Sequence, residues 1–173
     1  MNTANPALSA ALLATTLAAT LSMSHPAAAA ATFHNTSAGV ACHAANGALA
    51  AKFTYNLNFL TNGNTTDAYV VCALNMDDTN QTPAVLNGLT ATLFLPTPGT
   101  AACVAQTGYF SGTNQIEGST ALTYTSTYSN LTLQFSFDTS QLTRAGMTQV
   151  LTLNCKLPPG AKLGLIQRWE TQG

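Results

Sequence analysis

The segment "LTLQFSFD", Leu131 to Asp138, alternates without a break. Leu131, Leu133, Phe135 and Phe137 fall on one side of an extended backbone, and Thr132, Gln134, Ser136 and Asp138 on the other. A helix would scatter these side chains around its axis. A strand with one wet and one dry face buries all four apolar groups together. That burial is worth roughly 6–12 kcal/mol gross, before the opposing loss of chain entropy. A slip by one residue would expose all four, so the register is strongly specified.

The same period recurs along the chain. "AKFTYNLNF", Ala51 to Phe59, reads as a strand with Phe53, Tyr55, Leu57 and Phe59 on one face. "DAYVVCAL" from Asp67 and "LTATLFL" from Leu89 follow, the latter with Leu89, Ala91, Leu93 and Leu95 together. "PTPG" at Pro96 stops that strand, since proline cannot donate to a ladder. In "VLTLNC" Leu151, Leu153 and Cys155 share the core face. Pro158-Pro159-Gly160 then reverses the chain, and Lys162 to Glu170 returns as a last strand with Leu163, Leu165 and Trp169 on one face, closing a C-terminal hairpin. Three Asn-Gly pairs, Asn46-Gly47, Asn62-Gly63 and Asn87-Gly88, supply turn signals between strands. "QLTRAGM" from Gln141 reads as a connection with one helical turn. About eight or nine short strands without a substantial helix predict an all-β, antiparallel β-sandwich, with a closed β-barrel as the alternative.

The N-terminal stretch is different. Ala7 to Met23 is a run of Ala, Leu, Thr and Ser, followed by His25, Pro26 and the alanines Ala27 to Ala31. A moderately apolar run ending in small residues reads as a secretory signal, here residues 1–31. Residues 32–173 then form one domain, large enough for a substantial core and with no membrane span left after cleavage. The expected location is secreted or periplasmic.

Four cysteines follow that segment: Cys42, Cys72, Cys103 and Cys155. An even number in an exported chain reads as disulfides, and no C-x-x-C is present to suggest zinc. Four cysteines allow three connectivities, and the sequence alone does not choose among them. Joining neighbours in chain order, Cys42 with Cys72 and Cys103 with Cys155, is the preferred arrangement. In the chain-entropy picture each such loop contributes roughly 3–4 kcal/mol.

The cysteine segments "ACHAANG", "YVVCAL" and "LNCKLPPGAKLGLIQRWE" together resemble a group of small secreted bacterial proteins with four cysteines. In that group the second cysteine lies in a Val-Tyr-Cys-Pro type of strand and the fourth precedes Pro-Pro and a final strand. Ala73 stands where the pattern often has proline. The resemblance spans nearly the whole chain after the signal. It implies export, disulfides and a β-sandwich, and it implies no particular activity.

Charged residues make up only 6% of the chain. So few cations cannot build a basic patch, which argues against a nucleic-acid partner. There is no H-E-x-x-H and no G-x-S-x-G, and Ser111 in "GYFSG" lacks the right spacing. The only glutamates, Glu117 and Glu170, have no sequence feature that brings them together as a hydrolytic pair. No catalytic residue and no cofactor is therefore expected. His34 and His43 read as an exposed pair without shared ligand geometry. Asp77, Asp78 and Asn80 in "NMDDTN" are a weak calcium candidate, oxygen ligands without the EF-hand spacing.

Aromatic residues are the more informative set. Tyr109, Phe110, Tyr124, Tyr128 and Trp169 lie in the C-terminal half among many Asn, Gln and Thr. Exposed rings beside amides can stack on sugars and bond their hydroxyls. The competing reading packs these rings at sandwich margins, and the parity of Trp169 with Leu163 and Leu165 favours its burial. The expectation is a non-enzymatic extracellular or periplasmic binding module, with carbohydrate binding as one form and Tyr109, Tyr124, Tyr128 and Trp169 as ligand-contact candidates. The alternatives are a structural or surface-assembly subunit that binds copies of itself and, with least support, a hydrolytic enzyme.

Overall fold

Alternate residues go inward and outward, and this sorts the chain into two antiparallel sheets that share one apolar core. The computed structural model describes residues 31–76, 84–109, 115–142 and 149–172. In chain order the strands are β1 (Ala31–Ser37), β2 (Cys42–Ala44), β3 (Phe53–Tyr55), β4 (Leu60–Asn62), β5 (Ala68–Leu74), β6 (Ala84–Leu95), β7 (Gly99–Tyr109), β8 (Gln115–Ser126), β9 (Leu131–Phe137), β10 (Gln149–Leu157) and β11 (Lys162–Gln172). Two single-turn helices, α1 (Ala38–Ala41) and α2 (Gly47–Ala50), and one 3-10 turn (Thr139–Gln141) interrupt them. The first sheet runs β3-β4-β11-β6-β9, with β1 also paired to β11. The second runs β2-β5-β10-β7-β8. Neither closes on itself, so the molecule is a disulfide-stapled all-β sandwich and not a barrel.

The long alternating strands behave as their patterns require. Leu133, Phe135 and Phe137 of β9 are buried, and so are Leu89, Ala91, Leu93 and Leu95 of β6. These two faces meet in register, Leu89 opposite Phe137 and Leu93 opposite Leu133. From the second sheet Leu151, Leu153 and Cys155 of β10 close the core. Both disulfides lie within the second sheet. Cys42 on β2 is bonded to Cys72 directly opposite on β5, and Cys103 on β7 to Cys155 on β10. The bonds therefore clamp neighbouring strands of one layer; they do not tie the two layers together.

Several expectations are corrected. Ala51 to Phe59 is not one strand: only Phe53–Tyr55 is extended. The Asn56 side chain accepts from the amides of Asn58 and Phe59, both at 2.8 Å, and folds residues 56–59 into a tight turn. Leu57 at its tip is 81% exposed, while Phe53 is buried.

None of the three Asn-Gly pairs makes a hairpin turn. No residue in them has a positive φ; among the described residues only Asn130 and Gly160 do. Asn46 caps α2, its side chain accepting from the Ala48 amide at 2.9 Å. Asn87-Gly88 lies inside β6.

Asn62 ends β4 at a corner where the chain crosses to β5 in the other sheet. It is fully buried. Its amide group donates to the carbonyls of Leu157 (2.8 Å) and Thr66 (3.1 Å), and its side-chain oxygen accepts from the Asn64 backbone amide (2.9 Å).

The expected C-terminal hairpin is a corner as well. β10 belongs to the second sheet and β11 to the first. Pro158 and Pro159 have no amide to continue the ladder. Gly160 takes φ 74° and donates to the Asn62 carbonyl at 2.7 Å, so the turn docks on the other corner. Thr139–Gln141 supplies a 3-10 turn slightly ahead of the segment expected to hold one, and residues 143–148 lie outside the described residues.

Candidate functional site

β11 decides what the first sheet shows to solvent. Leu163 pairs with Leu93, but Ile166 pairs with Ala91, so β11 carries one extra residue at Gly164-Leu165. Such a bulge reverses the parity of everything after it. Ahead of it Ala161 and Leu163 point inward; beyond it Ile166, Arg168 and Glu170 do. Leu165 and Trp169, expected beside Leu163 on the buried face, are turned outward.

A second irregularity completes the arrangement. Trp169 pairs with Gly88 and Glu170 with Leu86, leaving Asn87 as the extra residue on β6. The Asn87 side chain donates to the Thr171 hydroxyl at 3.1 Å. A Cβ at Gly88 would fall within the Trp169 indole, so glycine is what lets the ring settle on the strand. On the other flank Phe33 of β1 pairs with Trp169. Their rings stack at 5.4 Å between centroids and 12° between planes, and Phe33 is 62% exposed. One step along, Gln167 donates from Nε2 to Asn35 Oδ1 at 3.0 Å. The result is an aromatic pair beside an amide pair on one exposed face. Hydroxyls and amides on that face can meet polar ligand groups, while the rings meet an apolar surface.

The structure separates the residues proposed from sequence. Trp169 sits within the first sheet. Tyr124 lies on β8 at the edge of the second sheet, and Tyr128 in the following turn, 76% exposed. Neither joins the Trp169 face. The side chains of Tyr109 and Glu117, and residues Phe110, Ser111, Asp77, Asp78 and Asn80, lie outside the described residues. Phe33 was not among the candidates, although "FHNTS" places Phe33, Asn35 and Ser37 on one face of a strand.

Glu170 is not an exposed edge carboxylate. It is 1% exposed, and Arg168 Nε donates to its Oε1 at 2.5 Å. A carboxylate enclosed and bonded in this way offers no free face to a substrate. Two desolvated ions on one strand are costly unless they stay together, so each holds the other in place. His34 lies opposite Arg168 on β1, and His43 is on β2 of the other sheet. Among the described residues no three His, Cys, Asp or Glu side chains gather as a metal site, and every cysteine is in a disulfide.

The two disulfides fit an extracellular or otherwise oxidising compartment. Among the described residues no helix is long and apolar enough to cross a membrane. No protein-family model and no curated protein matches this chain.

Proposed function

We propose that this is an exported carbohydrate-binding module, one of the small secreted four-cysteine bacterial proteins that its cysteine framework resembles. The signal segment 1–31 directs export, and residues 32–173 carry the binding domain. One observation carries the reading: the near-parallel Phe33–Trp169 ring pair beside the Asn35–Gln167 amide pair, on one exposed sheet face. Aromatic faces match the C–H surface of a pyranose, and the amides and threonines around them match its hydroxyls. A glycan array with the purified protein tests it. Wild type should retain glycans that Phe33→Ala and Trp169→Ala lose while still melting cooperatively. A silent array, or an unchanged pattern in both variants, would overturn the proposal.

A structural or surface-assembly subunit is the second reading, favoured by β8. Among the described residues this twelve-residue strand is paired only to β7. It contains no Lys, Arg or Pro to guard its free edge. Light scattering over a concentration series discriminates: mass that grows with concentration supports assembly, and a constant monomer mass removes it.

A further inference from the structure

We infer that the ligand of the first sheet's outer face is an extended, uncharged β-1,4-linked polysaccharide that lies along β11. This rests on the glycan reading above and adds the class of polymer and its path.

The outward positions of β1, β6, β9 and β11 set the chemistry. One end of the face holds Phe33 and Trp169. The other holds Phe94 and Lys162, which pair across β6 and β11. There the Lys162 ammonium stands 4.8 Å from the Phe59 ring centroid and 5.5 Å from that of Phe94. Between the ends lies a lane of the polar side chains of Thr92, Gln134, Ser136 and Gln167, with Leu165 exposed among them. Lys162 to Trp169 is seven residues, one of them taken up by the bulge, so the lane is about 20 Å long at strand spacing. That length takes several pyranose units in a row.

Charge selects among polymers. Arg168 and Glu170 are turned inward and neutralise each other. Lys162 is then the one charged side chain that these four strands turn outward, among the described residues. An anionic polysaccharide or nucleic acid would meet one cation along the whole lane, too few to repay its desolvation. A protein partner would need a continuous apolar centre, and here a single leucine, Leu165, stands between the aromatic ends among Thr92, Gln134, Ser136 and Gln167. An uncharged polymer complements this face. The β-1,4 linkage is chosen because it holds successive pyranoses in an extended ribbon, which a strand-length lane can follow.

The test measures affinity for β-1,4-linked glucose oligomers, from the disaccharide to the hexasaccharide, with a galacturonic acid hexamer as the charged counterpart. Affinity should rise on the order of tenfold across the neutral series, and the charged hexamer should bind more weakly than the neutral one. In Phe94→Ala the ratio of hexasaccharide to disaccharide affinity should collapse toward one. Tyr69→Ala, on the outer face of the second sheet, should change nothing. Equal affinity for disaccharide and hexasaccharide in wild type would overturn the extended path while leaving a sugar site at Phe33 and Trp169. Preference for the charged hexamer would overturn the neutral class. Binding of no oligomer at all, together with a silent glycan array, would remove both this inference and the reading beneath it. A thermal melt of each variant separates lost binding from lost fold.

Discussion

The Trp169 indole occupies the space that a side chain at residue 88 would need. The contact couples β11 to β6 and, through the ring stack, to Phe33 on β1. Gly88→Ala should therefore push the indole off the strand. Overpacking of this kind costs about 1–3 kcal/mol, with the lower end expected because an outward ring can swing away. Trp169 is the only tryptophan in the chain, so its emission reports the change directly. Emission should shift to longer wavelength, and ligand retention should fall with it. An unaltered spectrum would show that the ring does not rest on residue 88.

Asn62 is the second test of local geometry. Its side chain spans 95 positions in sequence to reach the Leu157 carbonyl and holds the β4–β5 corner against the end of β10. Asn62→Ala would leave the carbonyls it serves without their donor, at roughly 1–3 kcal/mol for each group stranded in the interior. The expected loss is about 2–4 kcal/mol in a denaturant melt. Asn56→Ala removes an exposed turn bond and should cost well under half of that. Equal losses would contradict the keystone role of Asn62.

Asp138 gives a pH-dependent expectation with a definite sign. The Ser140 hydroxyl, the Ser140 backbone amide and the Gln141 side chain, in that order, hold its carboxyl below the ordinary carboxylate range. These bonds favour the charged form, so their stabilisation is present above the unfolded value and disappears as pH falls through the folded one. The side chain is exposed, so the visible effect is local: the 3-10 turn at Thr139–Gln141 should loosen in acid before the core does. A carboxyl-carbon NMR titration should show the Asp138 midpoint rising in Ser140→Ala. An unmoved midpoint would discard the assignment.

Legibility followed the continuity of the alternation. β9, β10 and the second half of β6 keep one parity from end to end, and their core faces could be read directly from Leu131, Leu151 and Leu89 onward. β11 could be read in this way only as far as Leu163, because one bulge at Gly164-Leu165 reversed the parity of everything beyond it. The clues were two glycines, Gly164 and Gly88, inside strand patterns, where glycine often marks a bulge or a close approach. Asn-Gly misled because the dipeptide permits a positive φ without requiring it. At Asn46 and Asn62 the side chain found backbone partners that favoured a cap and a corner. The aromatic pair needed three-dimensional information, since Phe33 and Trp169 are brought together only by the β1–β11 pairing.

The last expectation concerns Cys155, which is buried on the inner side of β10 and bonded to Cys103 across the β7–β10 ladder. Cys155→Ala should destabilise the fold by roughly 2–5 kcal/mol, the usual cost of losing a native disulfide. Removing Cys103 as well should add little, because its bond is already gone. Thr152 is on the opposite face of the same strand and only half-buried, so Thr152→Ser should change stability by a few tenths of a kcal/mol. Since both disulfides lie within the second sheet, losing one should loosen that layer before it disturbs the Trp169 face. Tryptophan emission followed alongside amide exchange would separate the two layers. Emission that collapsed at the same denaturant concentration as the first loss of amide protection in β7 and β10 would show that the layers unfold as one unit.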